Sequence, residues 1–206
     1  HTVLNSLTEV IIRNTGVVDK YIGDCIMAFW GAPFGSNEDQ INACRSAIQC
    51  IKDIHVLNNG FRAKGVPEIA IRIGMHTGDA IAGNIGSDRL FNYTVVGDTV
   101  NLASRLESVN KVFKTGIIIS EDTLRNTDGL FFTRELGLIE VKGKSIPIRI
   151  FELIGEDTSI EPRQKELITL YHEGLAVYKE GKLREAIDIF EEVLDRYGGD
   201  GPSVFY

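Results

Sequence analysis

The sequence predicts an α+β domain with helices laid on one face of a sheet, of the split βαβ kind. Three observations carry this. Strand-like segments come in pairs separated by helical ones, apolar spacing switches between a period of two and a period of 3.6, and a glycine-first turn joins the first two strands.

Element by element, Val3, Leu4, Leu7, Val10 and Ile11 recur every three or four positions, predicting a helix that stops near Asn14-Thr15-Gly16. Val17 to Ile22 reads as a strand, Gly23-Asp24 as a type II′ turn, and Cys25 to Trp30 as the returning strand. Ile41, Cys44, Ile48, Ile51 and Ile54 give a core-facing helix from Glu38, terminated by Asn58-Asn59-Gly60. Ile69 to His76 alternates as a strand. Ala80 to Gly83 is a small-residue strand whose glycines suggest close backbone approach, and Phe91 to Val96 is a further strand. Asp98 is placed as the N-cap of a helix from Thr99 to about Lys111, with Leu102, Leu106 and Val109 inward. Ile117 to Ser120, Ile139 to Val141 and Ile146 to Leu153 complete the strands.

After Leu153 the composition becomes polar, and Pro162 opens a helical stretch. The predicted division is a domain over residues 1–154, a linker over 155–161 and a helical extension over 162–206. The line from Leu170 to Phe190 resembles one tetratricopeptide repeat, with Gly174 and Ala186 at helix-crossing positions. One repeat cannot bury its own face, so a docking role with a protein partner is expected.

Composition limits the function. The 206 residues are 43% hydrophobic, enough for one core of ordinary size, and carry a net charge of −7, which argues against nucleic acid or anionic membranes as partners. Cys25, Cys44 and Cys50 show no Cys-x-x-Cys spacing and are expected to be buried thiols in a reducing, cytoplasmic setting. No apolar run of about 18 residues predicts a membrane span. His1 opens into what reads as the middle of a helix, so a piece of a longer chain is expected.

Asp24 at a turn tip has a bland explanation as a common turn residue. It also offers one carboxylate beyond a sheet end, and Mg²⁺ needs only one or two. Lys20, four positions earlier, is expected on the same face of the strand, with a solvated lysine as the ordinary alternative. Asn101 and Arg105, four apart on a helix, share a face near its N-terminus, a setting suited to ribose and phosphate oxygens. Gly83-Asn84-Ile85-Gly86-Ser87 lacks a phosphate-binding glycine pattern and is read as a tight turn. Gly137 to Ser145 fails as a P-loop on spacing, and His76 lacks a second ligand at metal spacing.

Lys20-Tyr-Ile-Gly-Asp24, Ile71-Arg-Ile-Gly-Met-His-Thr-Gly78, Tyr93-Thr-Val-Val-Gly-Asp-Thr-Val-Asn-Leu-Ala-Ser-Arg105 and Val141-Lys-Gly-Lys144 together resemble, in order and spacing, the catalytic domain of class III nucleotidyl cyclases. The resemblance covers residues 1 to about 154 and is closest to the bacterial adenylyl cyclases. It implies a ferredoxin-like, split βαββαβ fold and conversion of ATP to cyclic AMP and pyrophosphate at the interface of a head-to-tail homodimer. By the same resemblance Asp24 binds two Mg²⁺ ions, with Mn²⁺ as a substitute. Lys20 and Thr94 read adenine, Asn101 orients the ribose, and Arg105 stabilises charge on the α-phosphate. Lys142 holds the β- and γ-phosphates, with Lys144 as its fallback.

Two departures stand out. The family's first metal aspartate, in a Phe-x-Asp-Ile-like strand, has no counterpart before Val3, so the 206 residues alone are expected to be weakly active or inactive. Asp79 stands where some mammalian relatives have a basic phosphate contact. A non-catalytic dimerisation or nucleotide-sensing module is the rival reading, and a scaffold run by the C-terminal helices is another. The joint presence of Lys20, Asp24, Thr94, Asn101, Arg105 and Lys142 argues against both.

Overall fold

The apolar spacing at the start of the chain becomes helix α1 (Thr2–Arg13), with Leu7, Val10 and Ile11 buried. The computed structural model describes residues 2–87, 90–140 and 147–206. Strands β1 (Val17–Ile22) and β2 (Cys25–Phe29) follow as an antiparallel hairpin, and Gly23 takes φ +64°, the left-handed conformation that a glycine-first turn requires. Helix α2 (Asp39–Ala63) runs past the expected stop at Asn58-Asn59-Gly60. The reason is that Asn58 is buried and its amide is used up inside the fold: its Nδ2 donates to the Ile69 carbonyl at 2.8 Å, and its Oδ1 accepts from the Ile69 amide at 2.9 Å.

Strand β3 (Ile73–Met75) is shorter than the predicted Ile69 to His76. Strands β4 (Ile81–Ser87) and β5 (Leu90–Val96) pair as a second hairpin, so the segment read as a tight turn at Gly83 to Ser87 is instead the greater part of β4. Among the described residues a side chain at Gly83 would meet nothing within 4 Å, so none of them makes the close approach expected there. Next come helix α3 (Asp98–Phe113), strand β6 (Ile117–Ser120) and the short helix α4 (Glu121–Leu124). Strand β7 (Phe131–Ile139), not foreseen before Ile139, pairs with β8 (Ile148–Glu156).

The principal sheet has the order β3-β6-β8-β7, with β3 parallel to β6 and the other neighbours antiparallel. All four residues of β6 are buried, because helices cover both faces rather than the one predicted. Ile117 and Ile119 pack against Ile41, Cys44 and Ile48 of α2, whereas Ile118 packs with Leu102 and Leu106 of α3. Fully burying each such side chain contributes about 1.5–3 kcal/mol. Among the described residues the β1-β2 hairpin forms no ladder with this sheet. It is tied to it through α1 and α2, where Leu7, Val10, Cys50 and Ile54 pack with Ile26 of β2 and Ile73 of β3.

The C-terminal helices α5 (Pro162–Lys179), α6 (Leu183–Tyr197) and α7 (Gly201–Phe205) lie against the sheet edge. Helices α5 and α6 cross at Gly174, where an added Cβ would sit 2.9 Å from the Phe190 ring, and Ala186 is fully buried at the same crossing. Arg134 of β7 joins the two parts of the chain. Its guanidinium donates to Glu152 of β8 at 2.8 Å through Nε and to Asp200, ahead of α7, at 2.7 Å through Nη1, and it lies 5.0 Å from the centre of the Tyr171 ring. No described helix is long and apolar enough to cross a membrane.

Candidate active site

The β1 ladder is irregular between Val18 and Lys20, so Asp19 sits in a bulge and escapes the alternation that would put it opposite Lys20. Its side chain is only 1% exposed, against 43% for Lys20. Lys20 Nζ donates to Thr94 Oγ1 of β5 at 3.1 Å, across 74 residues of sequence, and the Thr94 hydroxyl donates to Asp19 Oδ2 at 2.5 Å. Lys20 Nζ also lies 3.4 Å from Asp19 Oδ1. Thr94 is buried at 6% exposure. Two of the sequence-predicted residues, Lys20 and Thr94, are thus brought into direct contact, and Asp19, to which the sequence attached no role, completes the cluster.

Helix α3 presents Asn101 and Arg105 on its exposed side while Leu102 and Leu106 enter the core. Its entry differs from expectation. Asp98 is the first helical residue rather than the cap, and Gly97 holds the cap position at φ +150°, ψ 171°, a conformation all but restricted to glycine. Thr99 Oγ1 then donates to the Asp79 carbonyl at 2.6 Å, anchoring the first turn. The helix is seated on β3 through Gly74, where an added Cβ would lie 2.0 Å from the Glu107 amide nitrogen. Arg105 lines an open cleft of about 550 Å³ with Ser104, Ser108, Val109, Ile139 and Glu140.

Asp24 is exposed in the β1-β2 turn, where its carboxylate accepts from the Cys25 thiol at 3.8 Å. Cys25 is itself exposed, against expectation, because it opens the returning strand at the hairpin tip; Cys44 and Cys50 are buried as predicted. Burial pushes the Cys44 thiol up to about 12 and Cys50 to about 11, so neither is a thiolate at neutral pH. Among the described residues no group of three or more His, Cys, Asp or Glu could cage a metal. One exposed carboxylate fits a Mg²⁺ ion that takes most of its ligands from water and phosphate, not a preformed all-protein site. His76 is structural, its Nδ1 lying 2.7 Å from Ser120 Oγ. Lys142 and Lys144 lie outside the described residues.

This fold, with a polar cluster between two hairpins and a cleft on α3, has close counterparts. Residues 2–155 match the adenylate and guanylate cyclase catalytic domain, and the chain belongs to that family. Adenylate cyclase 1 of Rhizobium meliloti is 35% identical over 148 residues, covering 72% of this chain. The terminal-differentiation-specific adenylate cyclase of Dictyostelium discoideum is 31% identical over 205 residues, covering 95% of this chain, a likeness that reaches beyond residue 155 into the C-terminal helices. The chain spans 22% and 9% of the lengths of these two relatives. Among solved structures, the adenylyl cyclase CyaB from P. aeruginosa matches with TM-score 0.70 at 33% identity, over 78% of this chain and 82% of that one. The guanylyl cyclase Cya2 matches with TM-score 0.67 at 28% identity, over 77% and 80%.

Proposed function

We propose that this chain is the catalytic part of an adenylyl cyclase that converts ATP to 3′,5′-cyclic AMP and pyrophosphate. In the reaction the ribose 3′-oxygen forms a bond to the α-phosphorus, the bond from that phosphorus to the β-phosphate bridging oxygen breaks, and the 3′-hydroxyl proton passes to solvent. The observation that carries the reading is the Lys20–Thr94 contact at 3.1 Å, which sets an N–H donor beside a hydroxyl. Adenine offers an acceptor at N1 next to an amino donor at N6, a pattern such a pair can read.

Asn101 holds the ribose in this reading, and Arg105 meets the charge growing on the α-phosphate. A fixed donor of that kind contributes about 3 kcal/mol to catalysis. Lys142 neutralises the leaving pyrophosphate. Asp24 would hold Mg²⁺, with Mn²⁺ as an alternative, and the ions supply charge neutralisation and a more acidic 3′-hydroxyl. The working unit is a homodimer in which two copies share each site, and the C-terminal helices, which resemble a single tetratricopeptide repeat, offer a surface for a protein partner.

The test is turnover of Mg-ATP and Mg-GTP with both cyclic products quantified, at protein concentrations high enough to read the weak activity expected of these 206 residues. Cyclic AMP as the major product, lost in Asp24→Asn and Arg105→Ala, supports the reading. Cyclic GMP in excess of cyclic AMP, or cyclic AMP formation unchanged in both variants, overturns it.

A further inference from the structure

Asp19 is almost wholly enclosed, yet it is a carboxylate, and a buried charge is retained only where it is paired. Its partners are the two residues assigned above to the base. Among the described residues Oδ1 accepts no hydrogen bond within normal distance, its nearest cation being Lys20 Nζ at 3.4 Å, while Oδ2 takes the Thr94 hydroxyl at 2.5 Å.

The direction of these bonds is fixed by chemistry. An ionised carboxylate only accepts, so the Thr94 hydroxyl must donate its single hydrogen to Asp19. The ammonium of Lys20 only donates, so it occupies one lone pair of Thr94 Oγ1. One lone pair is left, and towards a ligand Thr94 is therefore an acceptor with no hydrogen to give. Without Asp19 the hydroxyl would rotate and could donate or accept as the ligand demands.

We propose that Asp19 is a specificity-determining positioning residue: it locks the Thr94 hydroxyl as an acceptor, so that the pair welcomes a 6-amino purine and rejects a 6-oxo purine. An amino group donates to the remaining lone pair of Thr94. A 6-oxo group brings its own lone pairs against it, and the protonated N1 of such a base confronts the Lys20 ammonium with a second donor. The inference rests on the adenylyl cyclase reading of Lys20 and Thr94. The bulge at Asp19 is what makes the arrangement possible, since regular alternation would send Asp19 to the opposite face from Lys20.

The experiment is competitive binding of ATP and ITP to the full chain against a fluorescent ATP analogue. It compares wild type, Asp19→Ala, Asp19→Leu, Thr94→Val and the Asp19→Ala/Thr94→Val double variant, with melting temperatures recorded for each. Alanine removes the acceptor and leucine keeps the volume, so the result does not hang on one variant folding. The expected result is that the wild-type preference for ATP over ITP falls about tenfold or more in both Asp19 variants, the equivalent of one misdirected hydrogen bond. In the Thr94→Val background the Asp19 change should have no further effect on the ratio, because the hydroxyl it orients is gone. An Asp19 variant that keeps the wild-type ratio, or one that shifts it equally with Thr94→Val already present, overturns the inference alone. A wild-type chain with no preference for ATP over ITP overturns the base-reading assignment and the inference with it.

Discussion

Gly74 in β3 lies so close to Glu107 in α3 that a methyl group on its α-carbon would stand 2.0 Å from the Glu107 amide nitrogen and 2.3 Å from the Ala103 carbonyl. Both obstacles are backbone, so neither can swing aside. Gly74→Ala must therefore lift the whole helix from the sheet, and with it Asn101 and Arg105. Overpacking of this kind costs about 1–3 kcal/mol, and a displacement of about 1 Å at reacting groups costs on the order of 100-fold in rate. Denaturant unfolding and cyclase turnover should fall together; turnover at the wild-type level in a destabilised Gly74→Ala chain would show that the seat of α3 does not position the site.

Arg105 and Asn101 separate the two effects, because both are exposed on α3. Arg105→Ala should lower kcat by roughly 10²–10³, as expected for a donor aimed at transition-state charge, while stability moves by no more than about 0.5 kcal/mol. Asn101→Ala should behave alike. Steady-state kinetics beside a melting curve reads both, and a loss of kcat matched by an equal loss of stability would assign these residues to the scaffold.

Arg134 governs the attachment of the C-terminal helices. Its side chain is 7% exposed between Glu152 and Asp200. Burial alone would lower the guanidinium's pKa, but the two carboxylates more than offset this and raise it. Asp200 also accepts from the Ser203 amide at 3.1 Å, capping α7. Arg134→Ala would leave two buried carboxylates without their cation, at a cost of about 3–5 kcal/mol. Chemical denaturation measures the loss directly, and limited proteolysis should cut first in α7. A loss below about 1 kcal/mol would mean the triad does not hold the two parts together.

Much of this was legible in the sequence, for physical reasons that vary by residue. The spacing of Leu7, Val10 and Ile11 is set by the period of the helix they form, and the glycine-first turn at Gly23 by a backbone angle other residues avoid. The contact between Lys20 and Thr94 came through the resemblance of their motifs, not from local pattern, since a pairing across 74 residues leaves no periodic trace. Asn58-Asn59-Gly60 misled because its stop signal was overridden by a tertiary contact with Ile69. Asp19 was hidden by its bulge: strict alternation puts it on the wrong side of the strand, and only the irregular ladder brings it to Thr94. Gly74 could have been found, because a glycine inside an apolar strand signals close backbone approach.

His172 on α5 gives the C-terminal attachment a pH dependence. Its Nε2 accepts from the Glu135 amide on β7 at 3.1 Å, so it must be unprotonated there for the contact to exist. Burial lowers its pKa below the ordinary value of about 6.5, with the charges of Arg134 and Lys179 adding to the effect and Glu135 opposing it. The folded chain thus binds a proton at this site less readily than the unfolded one. Stability from the contact is fully present above about pH 6.5 and is lost as pH falls from there through the lowered folded value. His172→Gln cannot titrate and should flatten that part of the profile. The measurement is unfolding free energy from pH 8 to pH 5 for both chains, and a parallel decline in wild type and His172→Gln would show that other groups, not His172, carry the dependence.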